Sequence, residues 1–365
     1  MYATCSPEDA QRHQENTIKG MWDLLPSEER WREREPFLRQ KGYILRPRYQ
    51  KGWSPSWLGT QRDPDFCEDS IYSRVDHVLD ATRSADGSLV SIKVVKRDNN
   101  EIDVAQYLSR PEFLHLPENH AVPVLSVFTD PLNPTEDALL IMPYLRPFNN
   151  PEFGAIGEVI EFVRQTLEGL AFLHSVGIAH RDCASANIMM DARSLFPQGH
   201  HPARLNYTPD AVFDAPHLPR LDHPVKYFFI DFGLSSRFHA GESPNVLGTK
   251  GRDKDAPELS NTVPYNAFML DIFILGNLYR KEFLDKFYGL ELLEPLVSSM
   301  LNPVPERRPS ASAASMDFTK VRSTINTSLY RRRLRSRNES APERVMYDTV
   351  AAAKQGIYHL KRLVA

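Results

Sequence analysis

The stretch HRDCASANIMMD, residues 180–191, places Asp182 five positions before Asn187 and then becomes apolar. Ahead of it, apolar residues recur at helical spacing from Gly157, and Gly177 is suited to end that helix. The pattern predicts a polar loop that follows a buried helix, in a second half of the chain that is mainly helical.

A second polar loop follows an apolar strand. VKYFFIDFG, residues 225–233, predicts a short buried strand that runs into a turn at Asp231. Between the two loops, at about residues 194–224, proline and histidine are frequent, and neither a helix nor a central strand accepts such a composition. We expect a surface insertion with solvated histidines: His200, His201, His217 and His223. Metal binding by them is the weaker alternative, because no cysteine or ligand-like spacing accompanies them.

The composition predicts a packed globular protein. The 365 residues are 41% hydrophobic and 25% charged, which suits two lobes or one domain with extensions. A net charge of -3 gives no reason to expect nucleic acid or an anionic membrane as the main partner. Three scattered cysteines fit a reducing compartment, and no long apolar run predicts a membrane span or a signal peptide. We expect an intracellular protein, cytoplasmic or nuclear, of undetermined oligomeric state.

The first half of the chain predicts a small lobe that is mostly β. VLDATRSADGSLVSIKVVK (78–96) has two β-rich runs joined at Asp86 and Gly87, which suit a tight turn. A helical pattern follows Asn100, and the apolar runs at 122–128 and 138–145 predict further strands.

Both ends of the chain lie outside this core. The tryptophan-rich start predicts a helix near residues 28–40 and a segment packed on the main domain, with a partner-binding surface as the alternative. At the other end, RRRLRSR (331–337) suits nuclear import, an anionic partner or a solvated linker, before a C-terminal helix capped by Ser340 and Glu343. The predicted parts are an extension (1–68), a β-rich lobe (69–145), a mainly α lobe (146–325) and a C-terminal segment (326–365).

Phosphoryl transfer needs cations on the phosphates, oxygen ligands on a metal and one carboxylate near the attacking hydroxyl. The chain offers these in an order that resembles the eukaryotic protein kinase family over about residues 70–312. The matching segments are VSIK (90–93), HRD with Asn187, DFG (231–233), APE (256–258), LDIFILG and RRPS. The extension, the insertion and the tail are similar to those of fungal kinase-domain proteins.

The resemblance implies an α+β, two-lobed fold with a β-rich N-lobe and a larger α C-lobe. It also implies ATP and Mg²⁺ as cofactors and a protein as substrate. Lys93 would hold the ATP phosphates and pair with Glu101, while Val78, Pro143 and Leu145 would contact the nucleotide.

The resemblance assigns the remaining roles to the second lobe. Asp182 would orient the substrate hydroxyl, and Asn187 and Asp231 would hold magnesium. Glu258 and Arg308 would form a buried structural pair, with Asp271 as a further structural residue.

Two departures keep other functions open. No glycine occurs between Gly59 and Gly87, so the phosphate loop of the family is missing, with Arg74 as a candidate substitute charge. Ala184 stands where Ser/Thr kinases carry a lysine. The sequence favours an ATP-dependent kinase acting on a protein Ser, Thr or Tyr hydroxyl. The alternatives are a pseudokinase scaffold and a small-molecule kinase.

Overall fold

The computed structural model describes residues 4–73 and 75–350, and the chain folds into two compact units. The first contains the residues up to 114, 122–146 and 190–225. The second contains 115–121, 147–189 and the residues from 226 onward. Arg74, the proposed substitute charge, lies outside the described residues. Within the described ranges, the helices are too short or too polar to cross a lipid bilayer.

An antiparallel sheet forms the centre of the first unit, in the order β1-β2-β3-β5-β4. Its strands are β1 (Tyr43–Leu45), β2 (Val78–Arg83), β3 (Leu89–Lys96), β4 (Ser126–Thr129) and β5 (Asp137–Pro143). Because side chains alternate along a strand, Leu79, Ile92 and Ile141 lie side by side on one face and are buried. The predicted hairpin is confirmed, and its Gly87 adopts a φ of 71°.

The N-terminal extension covers this buried face. The helices of the unit are α1 (Pro7–Ile18), α2 (Pro26–Gln40), α3 (Glu101–Leu108) and α4 (Pro111–Leu114). Trp31 and Leu38 of α2 pack in the core of the sheet, and the Trp31 indole Nε1 donates to the Asp76 carbonyl at 3.0 Å. The predicted helix near 28–40 and the packing of the tryptophan-rich segment are therefore confirmed.

Residues 46–77 connect β1 to β2 and are held by buried ion pairs. Arg48 donates from Nε and Nη2 to the two carboxylate oxygens of Glu28 at 2.7 and 2.8 Å. Arg46 pairs with Glu68 at 3.1 Å and with Asp80 at 3.0 Å. Side chains, and not a glycine-rich backbone, fix this connection between the first two strands.

The insertion folds onto the first unit, and the prediction that its histidines are solvated is wrong for His200 and His201. His201 is 0% exposed. Its Nδ1 accepts the amide protons of Ala203 and Arg204, so Nε2 carries the proton and points at Glu68 Oε1, 3.2 Å away. The Tyr144 hydroxyl donates to the Pro202 carbonyl at 2.8 Å. Because the turns of the insertion bring backbone amides, a carbonyl and the Glu68 carboxylate next to these side chains, the buried polar groups form hydrogen bonds within the protein instead of with water.

The second unit is mainly helical. Its helices are α5 (Ile156–Ser175), α6 (Ala267–Tyr279), α7 (Glu294–Met300), α8 (Ala311–Ser323) and α9 (Thr327–Arg331), and residues 341–350 are also helical. Its strands are short: β7 (Ile178–Ala179), β9 (Lys226–Phe229), β10 (Ser236–Arg237), β11 (Asn245–Gly248), β12 (Ser260–Asn266), β13 (Phe287–Tyr288) and β14 (Arg335–Ser336). β6 (Arg146–Pro147) and β8 (Ile188–Asp191) lie where the chain passes from one unit to the other. The apolar faces of α5 and α6 supply much of the core, and Gly177 follows α5 with a φ of 78°.

The basic run at 331–337 packs on the second unit, so the solvated-linker interpretation is wrong. Arg335 and Ser336 form β14, which pairs with β13, and the Arg335 guanidinium lies 4.2 Å from the Tyr288 ring centroid. Arg333 pairs with Glu339 at 2.9 Å. Of the predicted capping box, the Ser340 amide donates to Glu343 Oε2 at 2.9 Å, and the Ser340 hydroxyl donates to the same oxygen at 2.6 Å. The C-terminal part of the predicted final helix, residues 351–365, lies outside the described residues.

Candidate active site

Lys93 and Glu101 form an ion pair in the first unit. Lys93 lies in β3 and Glu101 begins α3, whose first amide is held by the Asn99 side chain at 2.9 Å. The Lys93 Nζ lies 2.6 Å from Glu101 Oε1, and the two side chains are 12% and 5% exposed. The predicted pair is confirmed, and burial strengthens it because little water screens the charges.

Lys93 projects from the face of the sheet opposite the buried face that α2 covers. Val78 and Leu140 stand beside it in the register of β2 and β5, so all three side chains share one face. Pro143 ends β5, and Leu145 follows at 8% exposure. The first unit therefore places a cation within an apolar surface, an arrangement suited to a nucleotide.

Asp271 of α6 shapes the loop that carries Asp182. Its carboxylate is 0% exposed and accepts the backbone amides of His180 at 2.7 Å and Arg181 at 2.6 Å. The His174 imidazole Nε2 lies 3.0 Å from the same carboxylate. These bonds hold Arg181 at a φ of 66°, a conformation that a non-glycine residue rarely adopts. The strained backbone fixes the direction of the next residue, Asp182.

The Asp182 carboxylate accepts two directed hydrogen bonds. Asn187 Nδ2 donates to Oδ2 at 2.8 Å, and the Arg252 amide donates to Oδ1 at 2.7 Å. Burial raises the pKa of Asp182 above its ordinary value, although these two bonds and the charge of the Arg252 guanidinium act in the opposite direction. The arrangement holds a carboxylate in one orientation and makes it a better proton acceptor than an exposed aspartate.

Asn187 and Asp231 come from neighbouring backbone segments. The Ile230 amide donates to the Asn187 carbonyl at 3.0 Å, and His180 Nε2 lies 3.0 Å from the Ile230 carbonyl. Since His180 Nδ1 faces the Asp182 amide, Nε2 carries the proton and donates to Ile230. Burial lowers the pKa of His180, which fits this neutral tautomer. The second unit thus brings the backbone of the Asp231 loop next to the Asp182 loop.

The donor chemistry of these residues fits magnesium. Asn187 uses its Nδ2 on Asp182, which leaves the amide oxygen as the atom suited to a cation. Asp231, at a φ of 63°, adds a carboxylate. In residues 4–73 and 75–350, no three His, Cys, Asp or Glu side chains are grouped to hold a metal. Such an ion therefore needs phosphate oxygens to complete its coordination, as Mg²⁺ commonly does.

Arg181 ties the loop to the segment that follows Asp231. Its guanidinium donates to the carbonyls of Leu234 at 3.3 Å and Leu247 at 3.0 Å and to the Ser236 hydroxyl at 3.2 Å. These neutral acceptors hold the start of the segment, at Leu234 and Ser236, and its middle, at Leu247, around the single guanidinium of Arg181.

Glu258 and Arg308 form the predicted buried pair. Arg308 Nη2 donates to Glu258 Oε2 at 2.8 Å, and the two side chains are 0% (Arg308) and 8% (Glu258) exposed. Arg308 also donates to the carbonyls of Asn302 and Met269 at 2.8 and 2.9 Å. The guanidinium thereby anchors the end of the segment to the base of α6.

Sequence reasoning missed the turn that closes over Asp182. Gly251 has a φ of 120°, and a Cβ there would lie 3.3 Å from Asp182 Oδ1. The following amide, that of Arg252, makes the bond to Asp182. The two glycines of GTKG, residues 248–251, are the signal that a tight backbone approach occurs there.

A family model of the protein kinase domain matches residues 74–287, more than half of the chain. The chain belongs to the protein kinase family. The match begins after the N-terminal extension, includes the insertion and ends before α7. It confirms the predicted α+β, two-lobed kinase fold and makes the protein a member of a phosphotransferase family. Lys93, Glu101, Asp182, Asn187, Asp231 and Glu258 all lie inside the matched range.

Proposed function

We propose that this kinase transfers the γ-phosphate of ATP to a Ser, Thr or Tyr hydroxyl of a protein. The observation that carries the proposal is the Asp182 carboxylate, oriented by Asn187 and the Arg252 amide inside a family-matched domain. A carboxylate held in one direction can accept the proton of a substrate hydroxyl as the oxygen attacks phosphorus.

The remaining residues bind and orient the nucleotide. Lys93, aligned by Glu101, neutralises phosphate oxygens, and the apolar neighbours Val78 and Leu140 lie on the same face of the sheet. Asn187 and Asp231 would hold Mg²⁺, which neutralises the charge that develops on the phosphates. That the residues of both units act on one nucleotide is part of the proposal.

Replacing Lys93 with methionine tests the nucleotide role. We expect kcat/KM for ATP to fall about a hundredfold, because a charge-assisted contact to phosphate is lost. The measurement is transfer of radiolabelled phosphate from Mg-ATP to a Ser/Thr/Tyr peptide library. Lys96→Met is the matched control on the same strand, since the Lys96 side chain is 56% exposed. Equal losses in both variants would contradict the assignment of Lys93.

A pseudokinase scaffold is the second candidate. The connection at 46–77, fixed by pairs such as Arg48 with Glu28, favours it, because rigid side chains replace the flexible glycine loop of active kinases. Thermal stabilisation by Mg-ATP in the wild type, without phosphate transfer to any peptide or to the protein itself, would favour the scaffold.

We expect the midpoint of the acid limb of the activity–pH profile to lie above the ordinary pKa of an aspartate. Catalysis needs ionised Asp182, and burial raises its pKa, so activity is lost as pH falls through that raised value. The kcat/KM for peptide, measured from about pH 3 to pH 8, gives the midpoint. A midpoint at or below about 3.9, the value of a free aspartate, would contradict this prediction.

A further inference from the structure

The turn at residues 248–258, GTKGRDKDAPE, carries cations and acids in equal number. The three acids are engaged. Asn277, 0% exposed, donates to Asp253 at 2.6 Å and to Asp255 at 3.0 Å, and Arg308 holds Glu258. Lys281 adds an ion pair to Asp255 at 2.7 Å. The three carboxylates of the turn are therefore bound by Asn277 of α6, by Lys281 and by Arg308.

The cations of the turn are left at the surface. Lys250, Arg252 and Lys254 are exposed, and the Lys254 Nζ donates to the Thr249 carbonyl. Among residues 4–73 and 75–350, no carboxylate lies within ion-pair distance of Lys250 or Arg252. The Asp255 side chain is also 49% exposed, but Lys281 pairs with it, so the surface of the turn keeps an excess of positive charge.

This positive surface directly adjoins the candidate base. The Arg252 amide lies 2.7 Å from Asp182 Oδ1, and Gly251 packs against the same oxygen. A peptide whose hydroxyl reaches Asp182 must therefore pass beside Lys250 and Arg252. Ala184 adds no cation to the loop, and the Arg181 guanidinium is engaged by the Leu234 and Leu247 carbonyls, so Lys250 and Arg252 are the exposed cations that a substrate beside Asp182 would meet.

We infer that this kinase selects substrate segments with aspartate or glutamate next to the phosphorylated hydroxyl, and that Lys250 and Arg252 bind those carboxylates. The inference rests on the proposed function. Opposite charges at a partly exposed rim increase affinity modestly and select against partners of the same sign. The preference is also expected to weaken as salt is added, because exposed charges are screened.

Peptide binding by fluorescence anisotropy tests this without requiring turnover. Three labelled peptides share a central serine and are flanked by Asp/Glu, by Asn/Gln or by Lys/Arg. We expect the full-length protein to bind the acidic peptide about tenfold more tightly than the amide peptide, as two rim ion pairs allow. Lys250→Glu/Arg252→Glu should abolish this preference and favour the basic peptide.

The controls separate charge from folding and from catalysis. Lys320→Glu/Arg344→Glu changes two helix side chains that are 78% and 57% exposed in the same unit and should keep the preference. Lys250→Gln/Arg252→Gln, with its unfolding temperature measured, gives the effect of losing the charges alone. Equal binding of all peptides, or an unchanged preference in both turn variants, would overturn the inference. A binding preference without phosphate transfer from Mg-ATP would instead count against the proposed function.

In the transfer assay, Lys250→Gln distinguishes recognition from chemistry, because it leaves Arg252 and its amide bond to Asp182 unchanged. Loss of the Lys250 charge should raise KM for the acidic peptide and leave kcat within about twofold, as expected for lost ground-state binding. A fall in kcat at unchanged KM would mean that Lys250 acts in the chemical step, and it would overturn substrate selection as the role of this residue.

Discussion

Asp182→Asn is expected to lower the rate of phosphate transfer about a thousandfold, within the range attributed to a general base. The amide oxygen can still accept the Arg252 N–H, but the amide nitrogen cannot take the proton of a substrate hydroxyl. It would also face the Asn187 Nδ2, which now donates to Asp182 Oδ2. We therefore expect a stability cost of only about 1–2 kcal/mol beside the large loss of rate.

Single-turnover transfer from Mg-ATP measures this prediction, with thermal stabilisation by Mg-ATP recorded in parallel. Asp317→Asn is the matched control, because that aspartate is 55% exposed on α8. Retention of more than about a tenth of the wild-type rate by Asp182→Asn would remove Asp182 from the role of base. Loss of nucleotide binding together with activity would indicate a structural role.

Arg34→Met is expected to destabilise the first unit by about 3–5 kcal/mol. Arg34 of α2 donates from Nε and Nη2 to the Asp130 carboxylate at 3.0 and 2.6 Å, and the side chains are 4% and 0% exposed. The substitution leaves a buried carboxylate to which, within the described part of the chain, only the Leu132 amide donates, at 3.1 Å. An unpaired buried charge accounts for most of the expected loss.

Urea unfolding of the full-length protein measures the effect. Arg32→Met is the control on the same helix, since its contact with Glu29 is exposed and 3.4 Å long, and it should cost less than about 1 kcal/mol. Arg34→Met/Asp130→Leu should recover much of the loss, because no buried charge remains. Equal costs for Arg34→Met and Arg32→Met would mean that the N-terminal extension does not stabilise the unit.

The sequence predicted those parts of the site that depend on local pattern. Lys93 lies in an apolar strand, Glu101 begins a periodic helix and Asp182 stands five positions before Asn187, so each could be placed by its neighbours. The roles of these residues in catalysis stay predictions. The hairpin, the long helix α5 and the family were predicted for the same reason.

Long-range pairing could not be predicted. Tyr43–Leu45 is too short and too far from β2 for its pattern to show that it becomes the edge of the sheet. His201 and Glu68 are in contact although 133 positions separate them in the sequence. Nothing in the composition of the proline-rich insertion predicts that one of its histidines lies against a carboxylate. The bond from the Arg252 amide could not be predicted, because almost every residue type has a backbone N–H and the sequence does not show which one will donate.

The docking of the insertion on the first unit imposes an order on synthesis. When a nascent chain has reached residue 146, all five strands of the N-terminal sheet have been synthesised, yet residues 190–225 have not. Arg46, Glu68 and Asp80 then carry their charges without His201, and the Tyr144 hydroxyl lacks its carbonyl. Contacts so distant in sequence form slowly and leave incomplete states open to aggregation. We therefore expect chaperones to bind the nascent chain before residues 190–225 have been synthesised.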